Sequence, residues 1–211
     1  MTGVQTCALP ISVLYTHFGT GNYHPGNARS YTDLSYFTAN TMLGSDANKI
    51  FNYLTSGSQP NCESLSFAPK NIRKNIIALI DIEIENADVG KPAQIWAKLN
   101  SLTDPELIRK FYEASSHGVE IKLVVRRQCR LRPGVVGLSE NISVKSIVGR
   151  YLEHSRIYSF ANGEALPHPD AKVFLSSADW MERNFDDRVE VMVPILDKVV
   201  HQQVLDRKSV V

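Results

Sequence analysis

Arginines and histidines at the borders of apolar runs are the first groups in this 211-residue sequence with chemistry to offer. His154 and Arg156 stand two apart in "YLEHSRIYSF", where an apolar run resumes as Ile157, Tyr158 and Phe160. Positions i and i+2 of a strand face the same way, so the spacing predicts an imidazole and a guanidinium aimed together at one anion. Arg126 closes the apolar run "IKLVVR", with Arg127, Arg130 and Arg132 just beyond it. Ligands of open α/β sheets lie past the carboxyl ends of parallel strands, which is where these arginines fall. Guanidinium forks match phosphate oxygens and keep their charge. A solvated basic loop is the plainer alternative. The cationic Arg156 would hold His154 neutral until an anion binds, and a neutral imidazole accepts or relays a proton in phosphoryl transfer. A structural histidine is the other reading.

Two turns carry the same flavour. In "GTGN", Gly19, Thr20, Gly21 and Asn22, the glycines let backbone N–H groups approach an anion. The same letters also make a common turn. Ser176 and Ser177 open "SSADW" at the end of an apolar strand, where Ser177 or Asp179 would alternatively cap a helix. Tyr31, in "ARSYTD", offers its phenol to a phosphate or a base pocket, or else fills an interior position.

The elements that must position these groups are legible in outline. "VLYTHFGTGNYH" predicts a short strand running into the glycine turn, and "YTDLSYFTAN" a second β-prone run. "SDANKIFNYLTSG" predicts a helix capped by Ser45 or Asp46, with Ile50, Phe51 and Leu54 on one face and Gly57 past its end. The polar stretch "SGSQPNCES" is the expected domain boundary. Ile72, Ile76, Leu79, Ile80 and Glu83 fall at helical spacing in the long segment 69–88, which Gly90 to Pro92 stop. "AQIWAKLN" reads as a strand. The helix "DPELIRKFYEASSHG" comes next, with Asp104 as cap, Pro105 in the first turn and Gly118 at its end. "VEIKLVVR" is apolar enough to be buried on both faces of a parallel sheet, with a right-handed crossover before it. "HSRIYSF", "AKVFLSS" and "RVEVMVPI" predict three further strands before a last helix from about Asp197.

Composition sets the bounds. The chain is 43% hydrophobic and 21% charged, with a net charge of +1, so an anion site must come from local clusters rather than a polycationic coat. Three scattered cysteines give neither metal spacing nor a disulfide framework, which points to a reduced, cytosolic compartment. No apolar run reaches membrane-spanning length, and no secretory signal opens the chain. The ends have a separate origin in this reading. "ALPI" can be written GCT CTT CCG ATC and "DRKS" GAT CGG AAG AGC, and these are reverse complements. Residues 1–12, with Cys7, and 206–211 are therefore expected to be translated sequencing adapter, flanking an internal fragment.

Together, "HFGTGNYHPGNARSYTDLSYFTAN", "KLNSLTDPELIRKFYEASSHGVEIKLVVR", "SIVGRYLEHSRIYSF" and "LSSADWMERNFDDRVEV" resemble the long, histidine-phosphorylated polyphosphate kinase family over about residues 13–205. The resemblance implies an α/β, phospholipase D-like fold with a mixed sheet flanked by helices. It implies the C-terminal part of a third domain at 13–64 and a nearly complete fourth domain at 65–205. It also implies reversible transfer of the ATP γ-phosphate to inorganic polyphosphate, through a phosphohistidine upstream of this fragment. Tyr31 and Arg126 would bind ATP, and His154 would be catalytic and phosphate-binding. Gly19–Asn22, Arg156, Ser176 and Ser177 would stand in the places of the superfamily's glycine turn, HxK motif and second turn. Arg127 departs from the glycine usual there, which bears on the loop shape. Mg2+ would come with ATP, its protein groups lying upstream.

ATP or ADP and polyphosphate are the implied partners. The resemblance also implies a homo-oligomeric full-length protein with no sequence-specific nucleic acid and no transmembrane segment, cytoplasmic or peripheral at the membrane. The fragment alone is expected to be inactive. Two alternatives remain open at this point. One is a phospholipase D-like phosphodiesterase or nuclease, although Arg156 stands where that chemistry uses lysine. The other is a non-catalytic polyphosphate- or nucleic-acid-binding module.

Overall fold

The computed structural model describes residues 13–206, so Cys7 and the expectations for residues 1–12 and 207–211 lie outside the described residues. The elements in chain order begin with β1 (Thr16–Gly19), a 3-10 turn (Asn27–Arg29), β2 (Tyr31–Thr32), β3 (Ser35–Thr38), α1 (Thr41–Ser56) and β4 (Ser66–Ala68). Then come α2 (Ile72–Asp88), β5 (Gln94–Leu99), α3 (Pro105–Ser116), β6 (Glu120–Val125), β7 (Ile142–Lys145) and β8 (Leu152–Glu153). The chain closes with β9 (Ile157–Phe160), β10 (Lys172–Ser176), α4 (Glu182–Asp186), β11 (Glu190–Pro194) and α5 (Lys198–Leu205).

Seven strands form one mixed sheet in the order β4-β11-β10-β9-β5-β6-β7. β5, β6 and β7 are mutually parallel, and the other neighbours are antiparallel. Alternation along β5 decides what covers each face. Ile95, Ala97 and Leu99 join the core under α2 and α3, with Ile76, Ile80, Phe111 and Trp180. Trp96 faces the second core, where Phe18, Leu43, Ile50, Leu65, Leu175 and Val204 bring β1, α1 and α5 against the sheet. The result is an α/β structure with helices on both faces. Residues before Ser66 thus share a core with the strands and helix of the C-terminal part.

Several local expectations hold. Asp104 caps α3 by accepting from Leu107 N–H, Pro105 opens that helix, and Gly118 lies just past its end at φ 91. Gly57 ends α1 at φ 73, a left-handed conformation that favours glycine. Others are corrected. "YTDLSYFTAN" forms two short strands, because β3 pairs with β1 while β2 leaves to pair in parallel with β8. "VEIKLVVR" alternates at first, with Val119 and Ile121 buried and Glu120 and Lys122 half-buried, and is buried on both faces only from Leu123 to Val125. Phe51 and Leu54 are exposed, and of the expected apolar face of α1 only Ile50 is buried.

The cap of α1 is neither Ser45 nor Asp46 but Asn40, whose Oδ1 accepts from the N–H groups of Met42 and Leu43. Asp46 lies inside the helix and is fully buried. Its Oδ2 accepts from Glu63, Ser64 and Leu65 N–H at 2.9, 2.7 and 3.1 Å, and Lys49 sits on Oδ1. This carboxylate therefore fastens α1 to the segment entering β4. Asp46→Ala leaves three backbone donors without an acceptor and is expected to cost about 2–3 kcal/mol. Urea denaturation measures it. A loss of under about 0.5 kcal/mol would show that water replaces the carboxylate without penalty.

Candidate functional site

Strand direction gathers the polar groups at one edge of the sheet. β10 is antiparallel to β9, which is antiparallel to β5, so β5, β6 and β10 all end on the same side. β9 and β11 start there. Asn100, Arg126 and Ser177 therefore come just after strand ends, and Arg156 and Arg188 precede strand starts, around one cavity of about 180 Å³. The loops are stitched together. Trp180 N–H donates to Ser101 O, and Trp180 O accepts from Thr103 and Asp104 N–H.

Five arginines line this cavity, Arg126, Arg127, Arg156, Arg183 and Arg188, against two carboxylates, Asp179 and Glu190. Both carboxylates are engaged. Asp179 takes a two-pronged contact from Arg156, Nε to Oδ1 at 3.2 Å and Nη2 to Oδ2 at 3.1 Å, and accepts from the backbone N–H of Asn100 and Ser101. Glu190 accepts from Ser177 Oγ and from Asn184 Nδ2. Burial raises the Asp179 pKa, but Arg156 and the Asn100 bonds outweigh it and hold the carboxyl below the usual range. The cavity is thus polar and cationic, a setting for a multiply charged anion. A larger cavity of about 390 Å³ between β1, α1 and β11 is mostly apolar, and no arginine or lysine lines it.

The expected site residues separate on this geometry. Arg126 and His154 line the same cavity, as do Thr20, Gly21, Asn22 and Ser177. Gly19 borders the two neighbouring cavities instead. Ser176 is buried, with its hydroxyl on Val191 O. Tyr31 lines a neighbouring cavity, and its ring meets that of His154 at 4.8 Å between centroids and a 52° tilt. Arg130 and Arg132 do not line the cationic cavity; the loop after β6 carries them away from it. Neither Ser177 nor Asp179 caps a helix, since α4 starts three residues later behind Met181.

The His154–Arg156 pair is differently built from its expectation. Both residues lie between β8 and β9 rather than within one strand. Arg156 is buried, and besides Asp179 its Nη1 donates to Thr20 O at 2.7 Å and His154 O at 3.3 Å. It is a strut between the glycine turn and the sheet more than a free anion ligand. Gly21 packs closely against Asp33, whose carboxylate would have to move to admit a Cβ there.

His154 is half-buried, and its Nδ1 has no hydrogen-bond partner. Its pKa is pushed down to about 4, first by burial and then by Arg156 and Arg126, with Asp179 opposing. The ring is therefore neutral at pH 7. Burial also lowers the Arg126 pKa, with Arg127 adding, but a guanidinium stays charged. Arg126 Nε and Nη2 donate to Asn100 Oδ1 at 3.1 and 2.8 Å.

Sequence reasoning missed Asn100, which stands one residue past β5 and joins Arg126 to Asp179. The rule that ligands gather past parallel strand ends would have found it. Arg183 carries no such signal, since the packing of α4 beside the cavity brings it in, and Arg188 opens the run "RVEVMVPI" but only the antiparallel order of the sheet puts that strand's start at this edge. Among the described residues no helix is long and apolar enough to cross a membrane.

Comparison with known proteins gives consistent matches. The family model described as "Polyphosphate kinase C-terminal domain 2" matches residues 65–209, and "Polyphosphate kinase C-terminal domain 1" matches residues 10–60. The sequence is 58% identical over 194 residues to a polyphosphate kinase of Erythrobacter litoralis and 53% identical over 191 residues to one of Pseudomonas aeruginosa. These alignments take in 92% and 90% of the chain but 27% of each relative, so the chain spans about a quarter of their length. The crystal structure of polyphosphate kinase from Porphyromonas gingivalis matches with a TM-score of 0.85 at 39% identity, covering 91% of this chain and 29% of that one.

Proposed function

The chain belongs to the polyphosphate kinase family, and from that premise we propose that its cationic cavity holds the phosphate chain of ATP or polyphosphate during phosphoryl transfer. The carrying observation is the convergence of Arg126, Arg127, Arg183 and Arg188 with a neutral His154 on one small polar cavity. Phosphoryl transfer asks mainly for positioning and for cations around the equatorial oxygens. Arg126 binds the phosphate chain. His154 stands beside it, stabilising the transferring group or relaying a proton. Tyr31, against the His154 ring, helps hold the nucleotide. In this reading the whole enzyme is an ATP:polyphosphate phosphotransferase. A phosphohistidine in the preceding part of the relatives' sequence donates the phosphoryl group, and the present chain alone binds without turnover.

Mg2+ accompanies ATP as part of the substrate. Among the described residues no three His, Cys, Asp or Glu side chains group to hold a metal ion, and Asp179 and Glu190 are committed to protein partners.

Titrating sodium tripolyphosphate against the chain tests the site. Binding is expected to weaken steeply with salt, as for any site that neutralises several phosphates. Arg126→Ala should lower affinity about tenfold to hundredfold, the range for a charged hydrogen bond of about 1.5–3 kcal/mol. Equal affinity in the variant, or no binding by the parent chain, would remove this cavity from the function.

A further inference from the structure

Lys98 is the one buried lysine among the described residues, at 3% exposure. It sits on the interior strand β5 between Val124 of β6 and Ile157 of β9. Its neighbours Ala97 and Leu99 face the core under α2 and α3, so Lys98 projects from the other side of the sheet, as Trp96 does. An ammonium in such a place is costly unless it is paired. The partner is the Glu153 carboxylate, with Oε2 2.7 Å from Nζ. Glu153 immediately precedes His154.

This contact falls where the backbone most needs an anchor. β8 is two residues long and pairs in parallel with the equally short β2. A ribbon of that size does not hold itself in place. It nevertheless carries both rings of the site, Tyr31 on β2 and His154 just after β8. His154 N–H donates to Thr32 O at 2.9 Å, while the ring's Nδ1 has no partner. Ring orientation thus depends on the backbone on each side and on Tyr31. Arg156 fixes the C-terminal side through His154 O. The N-terminal side is tied to the seven-stranded sheet through Glu153 and Lys98. Burial pushes the Asp33 carboxyl pKa up, Arg156 opposes, and the negative charge of Glu153 pushes it further up, so this ribbon is sensitive to the charge at Glu153.

We propose that Lys98, acting through Glu153, is a positioning residue that holds the His154 ring against Tyr31 at the cationic cavity. What the positioned ring does rests on the phosphoryl-transfer reading above; that Lys98 positions it does not.

The test uses the isotopically labelled 211-residue chain, its Lys98→Met variant, and the double variant Lys98→Met with Glu153→Met. Three quantities are read: thermal stability, the nuclear Overhauser contact between the Tyr31 and His154 rings, and tripolyphosphate affinity. Lys98→Met should lose stability, the ring contact, and at least tenfold in affinity. The double variant removes the Glu153 charge together with that of Lys98 and should regain most of the stability, yet still lack the ring contact and the affinity. A purely structural ion pair predicts that all three return together, and that outcome overturns the proposal. If Lys98→Met does not fold, the double variant decides alone. If the parent chain does not bind tripolyphosphate, the phosphoryl reading fails and the ring contact decides the positioning role by itself.

Discussion

Asp179→Ala is expected to destabilise the chain by about 3–5 kcal/mol, the scale for stranding one member of a buried ion pair. Arg156 and Asp179 are both nearly inaccessible, with side-chain exposures of 8% and 9%. Removing the carboxylate strands the Arg156 fork and leaves the backbone N–H groups of Asn100 and Ser101 without their acceptor. The loops after β5 and β10 would lose their common anchor. A companion variant, Arg156→Met with Asp179→Leu, removes both charges and should recover much of the loss. Urea denaturation of the three proteins measures both effects, and a cost under about 1 kcal/mol for Asp179→Ala would contradict the anchoring role.

The same carboxylate sets an acid limit. Its pKa is lower folded than in the unfolded chain, so its contribution is fully present above the ordinary value of 3.8 and is lost as pH falls through the lower folded value. His154 acts at higher pH. Its folded pKa of about 4 lies below the ordinary 6.5, so the unfolded chain binds the extra proton first. Stability therefore declines as pH falls from 6.5 towards 4. Bound polyphosphate should oppose that decline, because a polyanion favours the imidazolium.

His154→Ala is expected to cut polyphosphate synthesis by about 10²–10⁴-fold, the usual contribution of a positioned proton-transfer group. The suitable enzyme is a chimera in which residues 13–205 replace the aligned segment of the Pseudomonas aeruginosa polyphosphate kinase, 53% identical to this chain. His154 makes no ring hydrogen bond through Nδ1, so its loss should leave thermal unfolding nearly unchanged. Synthesis within tenfold of the parent chimera would refute the role. Retained synthesis with a lower melting temperature would make His154 a packing residue of the Tyr31 stack.

Much of the fold was legible along the chain. The α3 helix is marked at both ends by Asp104, Pro105 and Gly118, and α2 by its isoleucines at helical spacing. These signals are local, since a cap or a stop depends on the backbone within a few residues. The α1 cap shows the limit. Asn40 and Asp46 are both good cap residues by type, and only the long-range bonds of Asp46 to Glu63, Ser64 and Leu65 remove it from that role. Family membership was legible too, because long segments in register need no coordinates.

The site divides along the same line. The sequence alone determined that Arg126 and His154 border strands, that glycines shape the turn at residues 19–22, and that a local cationic cluster would have to serve in a nearly neutral chain. Only tertiary structure decided which arginines reach the cavity: Arg183 and Arg188 arrive, while Arg130 and Arg132 leave. It also turned Arg156 inward, onto a carboxylate 23 residues away and a carbonyl 136 residues away. The reason is physical. Propensity and periodicity are set by near neighbours, whereas a buried charge is set by whatever partner folding brings within hydrogen-bond reach.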